Sequence, residues 1–428
     1  MKRLTCYLVC AAWLLAPTSY AAGEEPKKTD AWSLQDCIKA ALENQADVLM
    51  AQNNVTIARG RASAAKSAYF PQVSLQNNAF RWGSESVLTK VTTGTALSVS
   101  QNVFDGGLRE ANARGTRYGV AQNQAGLTRT IQTTMFSVTR AYCEVLRARH
   151  LAEVAETNVK YNEELRKQVE FMASKEVGTA AKVDVLPVEA QLANARVNLL
   201  SAQNSVRTAA LALQTEMGVA PKAGFDVQEL EPPASPEVGP LESLVSLALK
   251  SRPDILQNQA NLGAARASVR SARLALYPRP VIGGEYQRQV SGGFTTSGTQ
   301  VVGGIVFDIF NGNANRAAFR EARASQANAD LQEKQLYKDI HAQVEEAYLN
   351  STSAKERLAA SAMGVEAAQK NYDAQKERYA QGMGTTLDML NAEVQVVTAQ
   401  SNDVQARYDY YTAIAQMEYA LGKQGGTR

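Results

Sequence analysis

From Leu108 to Lys175, 68 residues without a proline, apolar and small side chains recur three and four positions apart, at Val138, Tyr142, Val145, Ala148, Ala152 and Ala155. That spacing predicts one amphipathic helix packed along a coiled-coil seam. At about 1.5 Å per residue it would run roughly 100 Å, far beyond an ordinary globular helix. A turn at Val177-Gly178 sends the chain back. The returning helix starts close to Asp184, whose side chain can cap free amide groups, and it tolerates Pro187 in its first turn. The plan recurs with a helix from Asn313 to Ala380, a turn at Gln381-Gly382, and a return to Gly422. Both returning helices end at a glycine, Gly218 and Gly422, as helix C-termini commonly do.

Ahead of each hairpin the period changes to two. A helix ends at Phe70-Pro71 or Tyr277-Pro278, because proline cannot extend the hydrogen-bond ladder and biases its predecessor toward extended backbone. Val73 and Leu75 then lead into a polar connection at Gly83-Ser84-Glu85-Ser86, after which Leu97, Val99 and Val103 alternate with Ser98, Ser100 and Asn102. In the later copy residues 281–288 read as a strand and Ser291-Gly292-Gly293 begins a turn. Val301, Ile305, Phe307 and Ile309 then fall on one face, with Gly304 and Asp308 on the other. Strands of about ten residues with this alternation suit a tilted membrane strand, and their apolar side chains are expected to face lipid.

These similarities form one internal repeat. Leu34 to Pro71 aligns without a gap on Leu241 to Pro278. Val103-Phe104-Asp105-Gly106 recurs as Ile309-Phe310-Asn311-Gly312, and Val138, Ala141 and Tyr142 recur as Val344, Ala347 and Tyr348. Gly178 to Gly218 aligns on Gly382 to Gly422, pairing Asp184 with Asp388, Leu186 with Leu390 and Glu189 with Glu393. A register held over three separate stretches indicates duplication of one structural unit. The expected organisation is a secretory signal over 1–21, a first repeat over 22–218, a proline-rich linker over 219–240, a second repeat over 241–422 and a tail over 423–428. The signal rests on Lys2 and Arg3 before the apolar run Leu4 to Ala16, too short to span a bilayer, with cleavage expected before Ala22.

Composition narrows the chemistry. Lys2 and Arg3 leave with the signal, so 43 of the 45 basic residues face 42 acidic ones, a near-neutral balance that implies no nucleic-acid partner. Only Cys37 and Cys143 remain in the mature chain, and with His150 and His341 as the sole histidines there is no metal spacing, no disulfide framework and no cofactor motif. Both cysteines read as small buried apolar residues. No constellation of catalytic residues is present, so an enzyme is not expected.

Four membrane strands cannot close a barrel, and an open sheet edge in lipid leaves unpaired backbone groups that cost several kcal/mol each. Several chains must share one barrel. The fold class expected is mainly α with a small β part, a long antiparallel helical tunnel joined to a barrel of twelve strands built by three chains.

At this point the residues resemble a known family. The marks are the opening helix ending in Phe70-Pro71, the run Gln101-Asn102-Val103-Phe104-Asp105-Gly106-Gly107, Ala141-Tyr142, and Val177-Gly178 followed by Asp184-Val185-Leu186. In the second copy they are Tyr379-Ala380-Gln381-Gly382 followed by Leu387-Asp388-Met389-Leu390. In this order, twice over, the chain resembles the TolC family of outer-membrane efflux and type I secretion channels. The resemblance implies a homotrimer in the outer membrane with its helices in the periplasm. It also implies docking through the hairpin tips (Val177, Gly178 and Thr179; Gly382, Met383 and Gly384) on a periplasmic adaptor that joins an inner-membrane pump of RND or ABC type. It places Asp388 on an aspartate ring at the periplasmic constriction and Tyr379 on a latch tyrosine. Asn391 stands where the family has a second acidic ring, and Gly384 stands at the latch arginine, which implies a gate held less by ion pairing.

Simpler roles stand beside these. Asp184 and Asp388 can be helix caps, Tyr379 a packing residue, Gly178 and Gly382 turn residues, and Glu189 and Glu393 solvated or lumen-facing charges. A periplasmic adaptor would carry one hairpin rather than two. A soluble coiled-coil scaffold accounts for the helices but not for the strands beside Phe104-Asp105-Gly106.

Overall fold

Helices α1 (Leu34–Asn44) and α2 (Ala46–Ser67) lead into strands β1 (Gln72–Ser84) and β2 (Val87–Phe104), followed by α3 (Leu108–Met172) and α4 (Val185–Glu216). The order then repeats as α5 (Leu241–Ser251), α6 (Pro253–Leu274), β3 (Arg279–Ser291), β4 (Phe294–Val306), α7 (Ala314–Ala380) and α8 (Thr386–Ala420). This computed structural model describes residues 31–84, 87–172, 185–231, 239–291 and 293–423, and the backbone alone over 80–93 and at 291. Asp184, Val177, Gly178 and Thr179, like the expected signal segment, lie outside the described residues.

α3 and α7 have 65 and 67 residues, so each runs roughly 100 Å. No helix among the described residues is long and apolar enough to cross a membrane. The shorter helices stack end to end along the long ones, and a glycine makes each joint. Gly218, with φ +67°, closes α4 so near the start of α2 that a Cβ would stand 2.8 Å from the Asn44 backbone. Gly422, with φ +71°, does the same for α8, where a Cβ would lie 2.9 Å from Arg252 Cα. Left-handed backbone at such close approach leaves room for glycine alone. At both ends the two amides that follow fold back on the helix, Val219 N–H to the Gln214 carbonyl and Lys423 N–H to the Glu418 carbonyl, the Schellman closure.

The four strands form one antiparallel sheet in the order β1-β2-β3-β4, with β1 and β4 at its open edges. Register separates its faces. Val73 and Leu75 lie opposite Val99 and Leu97, Val99 lies opposite Tyr286, Gly284 opposite Val301, and Pro280 opposite Ile305. The other face carries Ser74, Gln76, Ser98, Ser100, Glu285, Gln287 and Gln300 by the same pairing. The apolar face is uncovered, Val301 being 77% and Ile305 74% exposed. One correction concerns strand length: β4 ends at Val306, so Phe307 and Ile309 lie in the connection to α7, both exposed. Val103 sits where the β2–β3 register shifts between Asn102 and Phe104. A bulge there restores Phe104 to the apolar face opposite Ile282.

The expected linker is more than a tether. Trp32 N–H donates to the Asp226 carbonyl and Gln228 N–H to the Trp32 carbonyl, a short parallel bridge. The buried Tyr142 hydroxyl of α3 reaches both the Trp32 and Gln228 carbonyls, at 2.9 and 2.6 Å. Phe225, Val227 and Leu230 join Cys37, Cys143 and Leu213 in the largest core cluster. Both cysteines are free and buried as expected, and desolvation pushes each thiol up to about 12.

Candidate functional site

At one end of the long helices the chain passes into the sheet. Asp105 accepts from the Gly107 and Arg109 amides, at 3.2 and 2.9 Å, and so caps α3. The Arg109 guanidinium lies over the Tyr69 ring and donates to the carbonyls of Ala68, Asn102 and Val103, at 3.2, 2.7 and 3.0 Å. One cation thus ties together the end of α2, the end of β2 and the start of α3. Sequence reading passed over Arg109, which repeats nothing and belongs to no apolar period. Beyond this junction the polar sheet face carries the Ser74–Ser98 hydroxyl pair at 2.6 Å and a recess of about 230 Å³ lined by Glu285, Gln287, Gln289 and Gln300 among others. Such a face can wet a passage.

The far end is the α7–α8 hairpin. α7 stops at Gln381, after which Gly382 takes φ +74° and the Gly382 and Met383 amides bond the Tyr379 and Arg378 carbonyls. The turn folds back so tightly that a Cβ at Gly384 would stand 3.3 Å from Tyr379 N. Met383 and Leu387 are left exposed at the tip.

Asp388 is not itself the helix cap. Thr385 is: its Oγ1 accepts from the Asp388 amide at 3.2 Å, while Asp388 Oδ2 accepts from Thr385 N–H and Oγ1–H at 3.1 and 2.7 Å, a complete capping box. The hydrogen bonds from Thr385 hold the Asp388 carboxyl below the usual aspartate range, so it is charged at neutral pH. Asp388 stays exposed within the chain, and so does Asn391 one turn on. Tyr379 is buried against Val169, Val188 and Met389, its hydroxyl 3.3 Å from Thr386 Oγ1 in the same hairpin.

Glu393 corrects the sequence reading. The sequence makes it a solvated or lumen-facing charge, and Glu189, its repeat counterpart, is exposed. Glu393 is 2% exposed and accepts a hydrogen bond from Asn162 of α3. A signal for this site did exist. The seam spacing that runs through Ala148, Ala152 and Ala155 continues to Asn158 and Asn162, which puts two amides on a buried stripe. Polar residues at such positions need buried partners.

The described residues hold no cluster of three or more His, Cys, Asp or Glu side chains fit for a metal ion. What the geometry offers is one apolar and one polar sheet face at one end and, near a tight hairpin at the other, the exposed Asp388 and Asn391 and the buried Glu393.

Comparison with known proteins agrees in one direction. A family described as Outer membrane efflux protein matches residues 37–219 and 244–423. The chain is 27% identical over 425 residues to the outer membrane efflux protein BepC of Brucella suis, covering 97% of this chain and 90% of that protein. It is 27% identical over 454 residues to the alkaline protease secretion protein AprF of Pseudomonas aeruginosa, covering 99% and 89%. Its fold superposes on the outer membrane protein VceC of Vibrio cholerae with a TM-score of 0.80 at 19% identity, covering 91% of this chain and 96% of that one.

Proposed function

Because the chain belongs to the outer membrane efflux protein family, we propose that three copies close one twelve-stranded barrel in the outer membrane and that their helices wall a conduit into the periplasm. The protein is an outer-membrane channel subunit of the efflux and secretion class. The observation that carries the assembly is the sheet itself: four strands, two open edges and one uncovered apolar face. In lipid those edges must pair, and only other copies of the chain supply matching strands. The apolar face then meets lipid through Leu97, Val99, Val301 and Ile305, and the polar face lines the lumen.

The helices give the same answer. α2 and α4 pack chiefly along α3, while α7 lies on the opposite flank against α6 and α8. Both flanks expose apolar side chains, Ile57, Val197 and Leu200 on one and Leu331, Leu349 and Met363 on the other. A neighbouring copy covers one flank with the other. The α7–α8 tip, with exposed Met383 and Leu387, suits a periplasmic adaptor that joins an inner-membrane pump. Mass measurement in mild detergent and conductance in planar bilayers test this reading. A conducting trimer is expected, whereas a soluble monomer that does not conduct overturns it in favour of a periplasmic scaffold.

At the hairpin end three ionised Asp388 carboxylates near the threefold axis attract cations, without a second acidic ring at Asn391. Asp388→Asn is expected to lower the cation-to-anion permeability ratio and cation block with trimer yield unchanged, and Asn391→Asp to raise both. If Asp388→Asn alters only stability, its capping box is its whole role.

A further inference from the structure

Glu393 lies in the second turn of α8, roughly 10 Å from the start of that helix. Among the described residues its hydrogen-bond donor is Asn162 Nδ2, from α3 in the other hairpin. Asn162 is itself fully buried. Its Nδ2 also approaches the Asn158 carbonyl and Oδ1, at 2.9 and 2.8 Å, and its own Oδ1 has no partner. Water is excluded from the pair, Glu393 being 2% and Asn162 0% exposed, and Val169 of α3, Val188 of α4, Tyr372 of α7, and Met389 and Val396 of α8 form an apolar cluster between the same helices.

Among the described residues no lysine, arginine or histidine forms an ion pair with this carboxyl. The titratable group turned toward it is Tyr372 of α7, whose hydroxyl is pushed up to about 12, first by burial and then by the Glu393 charge. Tyr161 and Glu164 of α3 and Asp373 of α7 bear on the same tyrosine. From α4 the apolar cluster receives Val185 and Val188. None of these groups is a cation, so ionised Glu393 is a buried charge with one amide for support. Burial raises its carboxyl from the ordinary 4.5 to about 7 against the opposing pull of that hydrogen bond.

We propose that Glu393 and Asn162 form a proton-dependent tie between the two hairpins, in which the neutral carboxyl holds α8 against α3 and ionisation releases it. The tie belongs to the fold. It rests on the channel reading only in that α8 leads to the proposed periplasmic opening, so that releasing α8 opens the conduit.

The partner chemistry accommodates both states. An ionised carboxylate accepts from Asn162 Nδ2. A neutral one donates its O–H to Asn162 Oδ1, the buried acceptor that now lacks a partner, once the amide turns over. Only the neutral state is free of buried charge. The packed form holds its proton up to about pH 7 and the released form only to about 4.5. Packing is therefore fully favoured below the lower value and weakens as pH rises through the higher one. Between them each pH unit shifts the balance by up to about tenfold per subunit.

Hydrogen exchange of α8 amides in purified trimers, corrected for the intrinsic rate, reads this directly at about pH 5 and about pH 8. Protection in the first turns of α8 should fall at least about tenfold toward the alkaline end in the wild type. In Glu393→Gln it should stay high at both. Bilayer recordings of the wild type should show opening rise over the same interval. Wild-type protection that does not change with pH overturns the tie, as does a Glu393→Gln protein that titrates like its parent. If Glu393→Gln does not assemble, the wild-type comparison decides alone. Conduction with pH-independent protection leaves the channel reading intact and removes the tie. Loss of conduction at every pH with pH-dependent protection does the reverse.

Discussion

Val301→Arg is expected to abolish most assembly of the barrel, while Gln300→Arg, one residue away on the same strand, is expected to be tolerated. Val301 stands on the uncovered apolar face of β4, in the middle of a band of side chains that runs from Ile305 and Ile282 to Val99 and Leu97. A charge at the bilayer midplane on the lipid face of a barrel costs about 2–4 kcal/mol, with Arg and Lys among the worst choices. A trimer carries the change three times. Gln300 lies opposite Glu285 on the polar face, where water solvates a guanidinium. Leu97, Val99 and Ile305 should behave like Val301. Phe307 and Ile309, beyond the end of β4, should lose less. Trimer yield in outer-membrane fractions and the urea midpoint of the purified barrel measure the effect. Equal losses at positions 300 and 301 would remove the assignment of faces.

Arg252→Ala is expected to cost about 3–5 kcal/mol, the range for stripping one partner from a buried ion pair. The Arg252 side chain is 2% exposed, at the α5–α6 joint where the end of α8 arrives. Its Nη2 lies 2.6 Å from Asp254 Oδ2, and its Nη1 donates to Gln343 of α7 at 2.9 Å and to the Ala420 carbonyl of α8 at 3.3 Å. Removing the guanidinium leaves the largely buried Asp254 carboxylate without its nearest partner, and strips the α8 terminus of a donor. Arg129 of α3 remains 3.9 Å from Asp254, which sets the expected loss toward the lower end of the range. Thermal melting followed by helical circular dichroism should show the drop. Adding Asp254→Asn should return part of it, because the orphaned charge is then gone. No recovery in the double variant would mean that the helix-terminus contacts, and not the ion pair, carry the effect.

Much of this architecture was legible along the chain. Phe70-Pro71, Tyr277-Pro278, Gly382 and Gly422 mark element ends through restrictions that act within a few residues, and the alternation at Leu97, Val99 and Val301 assigns side chains to faces because a strand has period two. The end of β4 was missed because Phe307 and Ile309 keep the alternation after pairing has stopped. Pairing depends on the partner strand, and β3 begins at Arg279, opposite Val306. The packed part of the linker was missed for a similar reason, since Tyr142 meets Trp32 across 110 residues and Gln228 across 86, and the three share no local period.

Asp388 shows the division at one residue. Its place in the first turn of a returning helix was readable, but its service as the carboxylate of the Thr385 box required the backbone geometry. Glu189 and Glu393 show it most sharply. The sequence by itself determined two copies of one unit, their strands, their long hairpins and the shared position of these two glutamates within them. It could not tell one glutamate from the other. α4 packs chiefly along α3 and leaves Glu189 in the open, whereas α8 is held between α3 and α7, and their side chains close over Glu393. Local spacing fixes where a side chain stands on its own helix, but whether water reaches it depends on which helices arrive beside it from elsewhere in the chain.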